Sequence, residues 1–308
     1  MISPQVSVII PCFKTSSNVE NLVSKVHAEM SLVAKYDFEI VLVVDGSPDD
    51  TWENVKKVCN HYSNVNGLKL SRNFGQHAAL LAGFNHSSGN VIVTMDDDLQ
   101  QDPGDISKLL SSLETGFDLV YGLNTVEEHS WVRNFFSRAF KWLANTFLGV
   151  DNAGKLSAFR AFNRRILNGI DVESIASVPV DVFLSWSTKD IGFVDVEMRK
   201  RESGTSGYTI RKLFSHALDS VTGYSQRPLR LITLFGAIAS LFGFFLIART
   251  IRQYLGGEIE VLGYSTVLIA VSFFASVQLL CIGIIGEYLG KIHASSIGKP
   301  TYIVNEKC

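Results

Sequence analysis

Three aspartates in a row, Asp96, Asp97 and Asp98, follow directly on the apolar run NVIVTM at 90–95. Adjacent carboxylates at the end of a strand repel one another, and a divalent cation relieves such crowding. In extended backbone Asp96 and Asp98 point the same way, with Gln100 following on that side, and Asp97 points away. Two carboxylates and an amide, with positions left open for phosphate oxygens, are a site for Mg2+ or Mn2+. A solvated acidic loop is the plain alternative. On this geometry removing the Asp97 carboxylate is mild and removing that of Asp98 is severe.

Three further clusters hold chemistry. VVDGSPDDT (43–51) ends a strand at Asp45 and turns through Gly46, Ser47 and Pro48. A carboxylate there can accept from a base N–H or a ribose hydroxyl, although a capped turn reads the same way. SRNFGQ (71–76) offers Arg72 and Asn73 to a base or ribose, with Gly75 allowing close backbone approach. KRESGTSGYTIRKL (200–213) groups Arg201, Ser206, Tyr208, Arg211 and Lys212 with Gly204 and Gly207. Such a segment can wrap a phosphate. A basic patch beside a membrane, holding anionic lipid, has the same composition.

The elements that position these clusters alternate along the first 125 residues. Apolar runs at 6–11, 38–45, 67–71, 90–96 and 118–122 read as strands. Helix-period segments at 18–33, 51–62, 77–85 and 106–114 separate them. Continuous apolar strands between helices predict an α/β fold, a mostly parallel twisted sheet with helices on both faces. Ligands of such sheets bind beyond the carboxyl ends of the strands, where the clusters lie.

The chain has 308 residues, 28 Lys and Arg against 30 Asp and Glu, and 19% charged residues. A net charge of −2 gives no electrostatic footprint for nucleic acid. Mean hydropathy is +0.18, and the excess sits near the C-terminus. Leu231–Ala248 and Leu262–Gly286 carry no charge. The first gives roughly 27 Å of helix, against a hydrocarbon core of about 30 Å, and the second exceeds it. With a short connector at 249–261 they predict a transmembrane hairpin. Basic residues number five on the domain side (Arg227, Arg230, Lys291, Lys299, Lys307) and two on the other (Arg249, Arg252), so the domain side is expected to be cytoplasmic. The N-terminus lacks the basic start and long apolar run of a signal peptide. The expected layout is a domain at 1–228 with a basic linker at 199–228, two membrane helices within 229–288 (about 230–250 and 262–286), and a cytoplasmic tail at 289–308. Cys12, Cys59, Cys281 and Cys308 are far apart, with no metal spacing. They predict no disulfide scaffold and a reducing compartment.

Taken together, VSVIIPCF, VVDGSPDDT, SRNFGQHAAL, MDDDLQQDP, FRAFNRR (159–165) and the ESGTSGYTIRKL linker resemble the family 2 glycosyltransferases of GT-A fold. The chain is most similar to the polyprenyl-phosphate type, such as the dolichyl-phosphate mannose synthases and bactoprenol glucosyltransferases. The resemblance implies a metal site at Asp96, Asp98 and Gln100, with Asp97 where alanine is common. It implies a nucleotide pocket of Pro11, Phe13, Asp45, Ser47, Arg72, Asn73 and Asp96. Arg133 and Ser137, one helical turn apart, match positions near a lipid phosphate, and Arg201, Ser206 and Arg211 match the loop over the donor and acceptor phosphates. Asp98, Arg201 and Arg133 are the residues the resemblance places nearest the reaction. It further implies a nucleotide-sugar donor, a polyprenyl phosphate acceptor, contact with membrane lipid, and a homo-oligomer, tetrameric in some relatives. The chain departs from the pattern in three places. Lys14 and Thr15 stand for the Asn-Glu of PxYNE, Val44 for the first Asp of DDGS, and Ala158 for an Asp before Phe159-Arg160.

Overall fold

The computed structural model describes residues 6–33, 36–124, 156–168, 179–197, 227–256, 263–298 and 300–308. Its described residues fall into two compact units. One holds a sheet and the C-terminal strand, and the other holds two long helices.

The first unit is built on an eight-stranded sheet. In chain order the strands are β1 (Val6–Cys12), β2 (Phe38–Val44), β3 (Val65–Leu70), β4 (Val91–Thr94), β5 (Leu119–Asn124), β6 (Arg160–Asn163), β7 (Ile191–Val196) and β8 (Val304–Lys307). Their spatial order is β7-β5-β6-β4-β1-β2-β3-β8. β1 pairs in parallel with both β2 and β4, β2 with β3, and β5 with β7. β6 and β8 run antiparallel to their neighbours.

Alternation along β1 explains the layering. Val6, Val8, Ile10 and Cys12 join one core with the apolar faces of α1 (Val19–Leu32), α2 (Thr51–His61) and α4 (Ile106–Glu114). Ile9 joins the opposite core with α3 (Gln76–His86) and α5 (Val180–Ser187). Helix α3 lies so close to the sheet that a Cβ at Gly83 would stand 2.4 Å from Ile9 Cγ2. Because β1 has a parallel neighbour on each side, the chain leaves the sheet in both directions from its carboxyl end. A crevice opens there, and the loops after β1, β2 and β4 meet in it.

Glu39 ties the other end of the sheet together. Its carboxylate accepts from Ser7 Oγ at 2.7 Å, Ser88 N at 2.5 Å and Asn66 Nδ2 at 3.1 Å. Burial pushes its pKa up, but the hydrogen bonds from Ser7 and Ser88 more than offset this and hold it below the usual glutamate range.

The C-terminal residues, expected as a tail, return to the sheet. β8 pairs with β3, Glu306 accepts from Trp52 Nε1 at 2.9 Å and pairs with Lys69 at 2.6 Å, and Gly67 and Cys308 exchange backbone hydrogen bonds at 3.0 Å. Cys59 and Cys308 form a disulfide, with Cα atoms 6.0 Å apart and a sequence separation of 249. It is a single pair and no disulfide scaffold, and cysteine spacing did not point to it. The pairing follows from β8 lying beside β3 and α2, which spacing does not show.

The second unit contains α6 (Arg227–Leu255) and α7 (Tyr264–Ser296). The first predicted apolar run lies on α6 and the second, from residue 264 onward, on α7; the helices pass close at Gly243, where a Cβ would stand 3.4 Å from Phe274. Among the described residues, α7 is the helix long and apolar enough to cross a membrane, through Phe273–Gly290. The apolar stretch of α6, Thr233–Phe245, is shorter.

Candidate functional site

A cleft of about 280 Å³ opens at the carboxyl ends of β1, β2 and β4. Pro11, Cys12, Phe13, Asp45, Asn73, Gly75, Gln76, Asp96, Asp97 and Asp98 line it. It therefore gathers Pro11, Phe13, Asp45, Asn73, Asp96 and Asp98 from the predicted site. Ser47, Arg72 and Gln100 are outside its lining. Arg133, Ser137, Arg201, Ser206 and Arg211 lie outside the described residues.

The β2 end is a clamp. Asp45 is 4% exposed. Its carboxylate accepts from Phe74 N at 2.7 Å and Gly75 N at 2.8 Å. Burial nevertheless pushes its pKa up, and the two N–H groups offset only part of that. Asp45 was expected to face a base or ribose; in the structure it holds the β3–α3 loop. Gly46 makes the same junction possible. It has φ +57°, and a Cβ there would stand 2.1 Å from the Arg72 carbonyl carbon. Arg72 lays its guanidinium 4.6 Å above the Phe74 ring and leaves Asn73 as the loop's contribution to the cleft.

Ser47 is also internal in its bonding. Its Oγ accepts from Lys14 N at 2.8 Å and donates to Asp49 Oδ1 at 2.5 Å. Thr51 Oγ1 also donates to Asp49 Oδ1, at 2.6 Å, and accepts from Thr15 N at 3.1 Å. Burial raises the Asp49 pKa, but these hydroxyls together hold it well below the usual carboxylate range. This Asp49 hub fixes the loop after β1 against the loop after β2.

The acidic triplet forms a turn where extended backbone was expected, and Leu99 takes φ +58°. The turn changes which side chains meet. Asp97, expected to point away from the site, lines the cleft and accepts from Phe13 N at 3.0 Å and from the Thr15 hydroxyl. Gln100, expected to follow Asp96 and Asp98, gives its backbone N–H to Asp98 Oδ1 at 3.1 Å. The buried Gln101 reaches Asp96 instead. Its Oε1 accepts from Asp96 N at 2.9 Å, and its Nε2 donates to Asp96 Oδ2 at 3.3 Å. Gln76 donates to Asp96 Oδ1 at 2.7 Å. Both glutamines stand in the quoted motifs SRNFGQ and MDDDLQQDP, but alternation along an extended strand pointed to Gln100.

Burial, then the Asp98 and Asp97 charges, push the Asp96 carboxyl up to about 6. Arg160, on β6 beside β4, opposes that rise through its charge. It is 2% exposed, donates from Nε to Thr94 Oγ1 at 3.0 Å, and forms an ion pair with Asp181, which also accepts from Tyr121 OH at 3.2 Å. Thr94 in turn donates to the carbonyl of Ala158 at 2.7 Å.

Among the described residues no group of three or more His, Cys, Asp and Glu has the arrangement of a metal site. The donor set still fits a hard cation that takes only part of its shell from protein. Asp96 and Asp98 supply oxygen alone, and a cation that keeps open positions for phosphate oxygens needs one or two carboxylates. Burial raises Asp96 first, and the Asp98 and Asp97 charges add to it; a divalent charge would relieve that second part. A second hollow, of about 470 Å³, opens at the amino end of β4 near Asn90 and Asn163. None of the candidate residues lines it. Arg164 and Arg165 beside it are engaged, Arg164 by Gly89 O, Phe84 O and Ser87 Oγ, and Arg165 by Asp118.

The model of glycosyl transferase family 2 matches residues 7–170, more than half of the chain. The chain belongs to glycosyl transferase family 2. In this glycosyltransferase the GtrB C-terminal hairpin model matches residues 227–292, the span of α6 and α7. It is 33% identical to a putative glycosyltransferase, CsbB, of Bacillus subtilis (strain 168), over 98% of this chain and 91% of that protein. It is 30% identical to an undecaprenyl-phosphate 4-deoxy-4-formamido-L-arabinose transferase of Edwardsiella ictaluri, over 97% of this chain and 93% of that one. In fold it resembles glucosyl-3-phosphoglycerate synthase of Mycobacterium tuberculosis, solved with Mg2+ and UDP. The TM-score is 0.51 at 18% identity, covering 71% of this chain and 77% of that one.

Proposed function

We propose that this glycosyltransferase moves a hexose, with inversion, from a UDP-hexose to polyprenyl phosphate, and that the hexose is glucose. One observation carries the reading. A carboxylate floor of Asp96 and Asp98 lies at strand ends between Phe13 and Asn73, in a chain whose two long helices leave and rejoin the same unit. Asp96 and Asp98 would hold Mg2+ or Mn2+, which when bound neutralises a diphosphate leaving group. Phe13, 42% exposed, offers a ring face to the base, and Asn73 an amide to base or ribose. Arg201, Ser206 and Arg211 close on the donor and acceptor phosphates, and Arg133 and Ser137 seat the lipid phosphate. A phosphate oxygen of the acceptor attacks the anomeric carbon as the bond to the nucleotide diphosphate breaks. A phosphate monoester has a second pKa near 6 and is largely ionised at pH 7. It needs alignment more than a base, and Ala158 leaves the reaction without a carboxylate at that position.

The β3–β8 pairing supports two spans. Residues 304–307 belong to the same unit as β1–β7, so the chain between crosses any membrane an even number of times. The basic residues flanking the helices support a cytoplasmic catalytic unit. A second donor reading, a UDP-linked aminoarabinose derivative, is favoured by the names of the arabinose transferase relatives. Incubating the protein with polyprenyl phosphate and a panel of UDP- and GDP-sugars, then weighing the glycolipid by mass spectrometry, tests the proposal. Polyprenyl-phosphate hexose from the UDP donor is expected. No glycolipid from any donor would overturn it and favour a non-catalytic scaffold.

A further inference from the structure

Three successive backbone amides after β1 are each taken by a side chain from another segment. Phe13 N goes to Asp97, Lys14 N to Ser47 Oγ at 2.8 Å, and Thr15 N to Thr51 Oγ1 at 3.1 Å. The turn needs such restraint, because Lys14 takes φ +59°, a region that side chains other than glycine rarely adopt. Two of the three anchors come from the loop and helix after β2. The third, Asp97, comes from the acidic turn, and its Oδ2 also accepts from the Thr15 hydroxyl. Asp97 is thus the link between the aromatic wall of the cleft and its carboxylate floor.

One of the three departures from the pattern the resemblance implies, at Thr15, falls on this same contact. The pattern places a glutamate at position 15 and commonly an alanine at 97, whereas this chain has threonine and aspartate. A glutamate at 15 facing Asp97 would set two carboxylates together in a partly buried place.

We propose that Asp97 is a positioning residue for nucleotide binding, which holds the Phe13–Thr15 turn against Asp96 and Asp98. The proposal rests on the nucleotide-sugar reading above for its ligand, and on the hydrogen bonds alone for the anchor. It also differs from the expectation that removing the Asp97 carboxylate is mild.

The test uses the full-length protein in neutral detergent and two readouts. One is the affinity for UDP with Mn2+, and the other is amide exchange across residues 12–17. Asp97→Ala is expected to weaken UDP–Mn2+ binding by about tenfold or more and to speed exchange of the turn. Thr15→Glu alone is expected to weaken binding, and the double variant Thr15→Glu/Asp97→Ala to return to within about threefold of wild type, with slow exchange restored. Thr15→Val, which removes only the hydroxyl, gives a milder loss in the same direction and serves if Asp97→Ala does not fold. Binding within about twofold of wild type in both Asp97→Ala and Thr15→Val overturns the proposal, as does a double variant no better than the sum of its parts. Wild-type protein that binds neither UDP nor GDP with Mn2+ overturns the nucleotide reading, and with it the positioning role. Exchange then decides the anchor separately.

Discussion

At the scale of single residues, the three aspartates divide their work by direction. Asp97 is turned toward the loop after β1, Asp96 is held between Gln76 and Gln101, and Asp98 accepts the Gln100 amide. Asp98→Asn leaves the backbone hydrogen bond an acceptor and removes a charge from the floor. Sugar transfer is expected to fall by about a hundredfold or more, about 2.7 kcal/mol in the barrier, with the melting temperature unchanged. Transfer assays beside thermal unfolding check this. Wild-type turnover would remove Asp98 from the site. Glu39 contributes to the acid limb of stability. Its folded pKa is lowered, so its contribution is present above the unfolded value and lost as pH falls through the folded one. Glu39→Gln is expected to destabilise by about 2 kcal/mol at pH 7, with the gap to wild type closing below about pH 4. Melting curves across pH measure it, and a gap independent of pH would contradict the assignment.

At the scale of elements, the loop after β2 is the joint on which the cleft depends. A methyl group at Gly46 would drive into the Arg72–Asn73 backbone, and the residue holds φ +57°. Gly46→Ala is expected to cost about 3 kcal/mol or to prevent folding. An unchanged melting temperature would show that the two loops are not packed as described. The central strands were legible because each is a continuous apolar run bounded by turns. β6, β7 and β8 were not. β6 is four residues long and begins at a buried arginine, and β8 reads VNEK, an edge strand without an apolar face. The acidic floor was legible from carboxylates placed straight after a buried strand. Its wiring was not, because the chain turns at Asp97 and Asp98 and takes a left-handed φ at Leu99, Gln101 rather than Gln100 meets Asp96, and alternation assumes a straight strand. The grip of Asp45 on Phe74 and Gly75 joins segments 29 and 30 residues apart, a contact that only the folded sheet creates.

At the scale of the whole molecule, the C-terminal strand pairs with β3, so the chain returns to the first unit after the two helices. Reporters fused at residue 308 and at the N-terminus are expected on the same side of the membrane, and one inserted between α6 and α7 on the other. Labelling all three in intact cells decides it. Terminal reporters on opposite sides would contradict the pairing of β8 with β3.

The proposed transfer is tested most directly by purified protein, Mn2+, a short-chain polyprenyl phosphate and a panel of nucleotide sugars, with the glycolipid identified by mass. Expected is a polyprenyl-phosphate hexose formed from the UDP donor, absent when the metal is chelated and absent from Asp98→Asn. A glycolipid formed equally well in chelator, or no glycolipid from any donor, would contradict it.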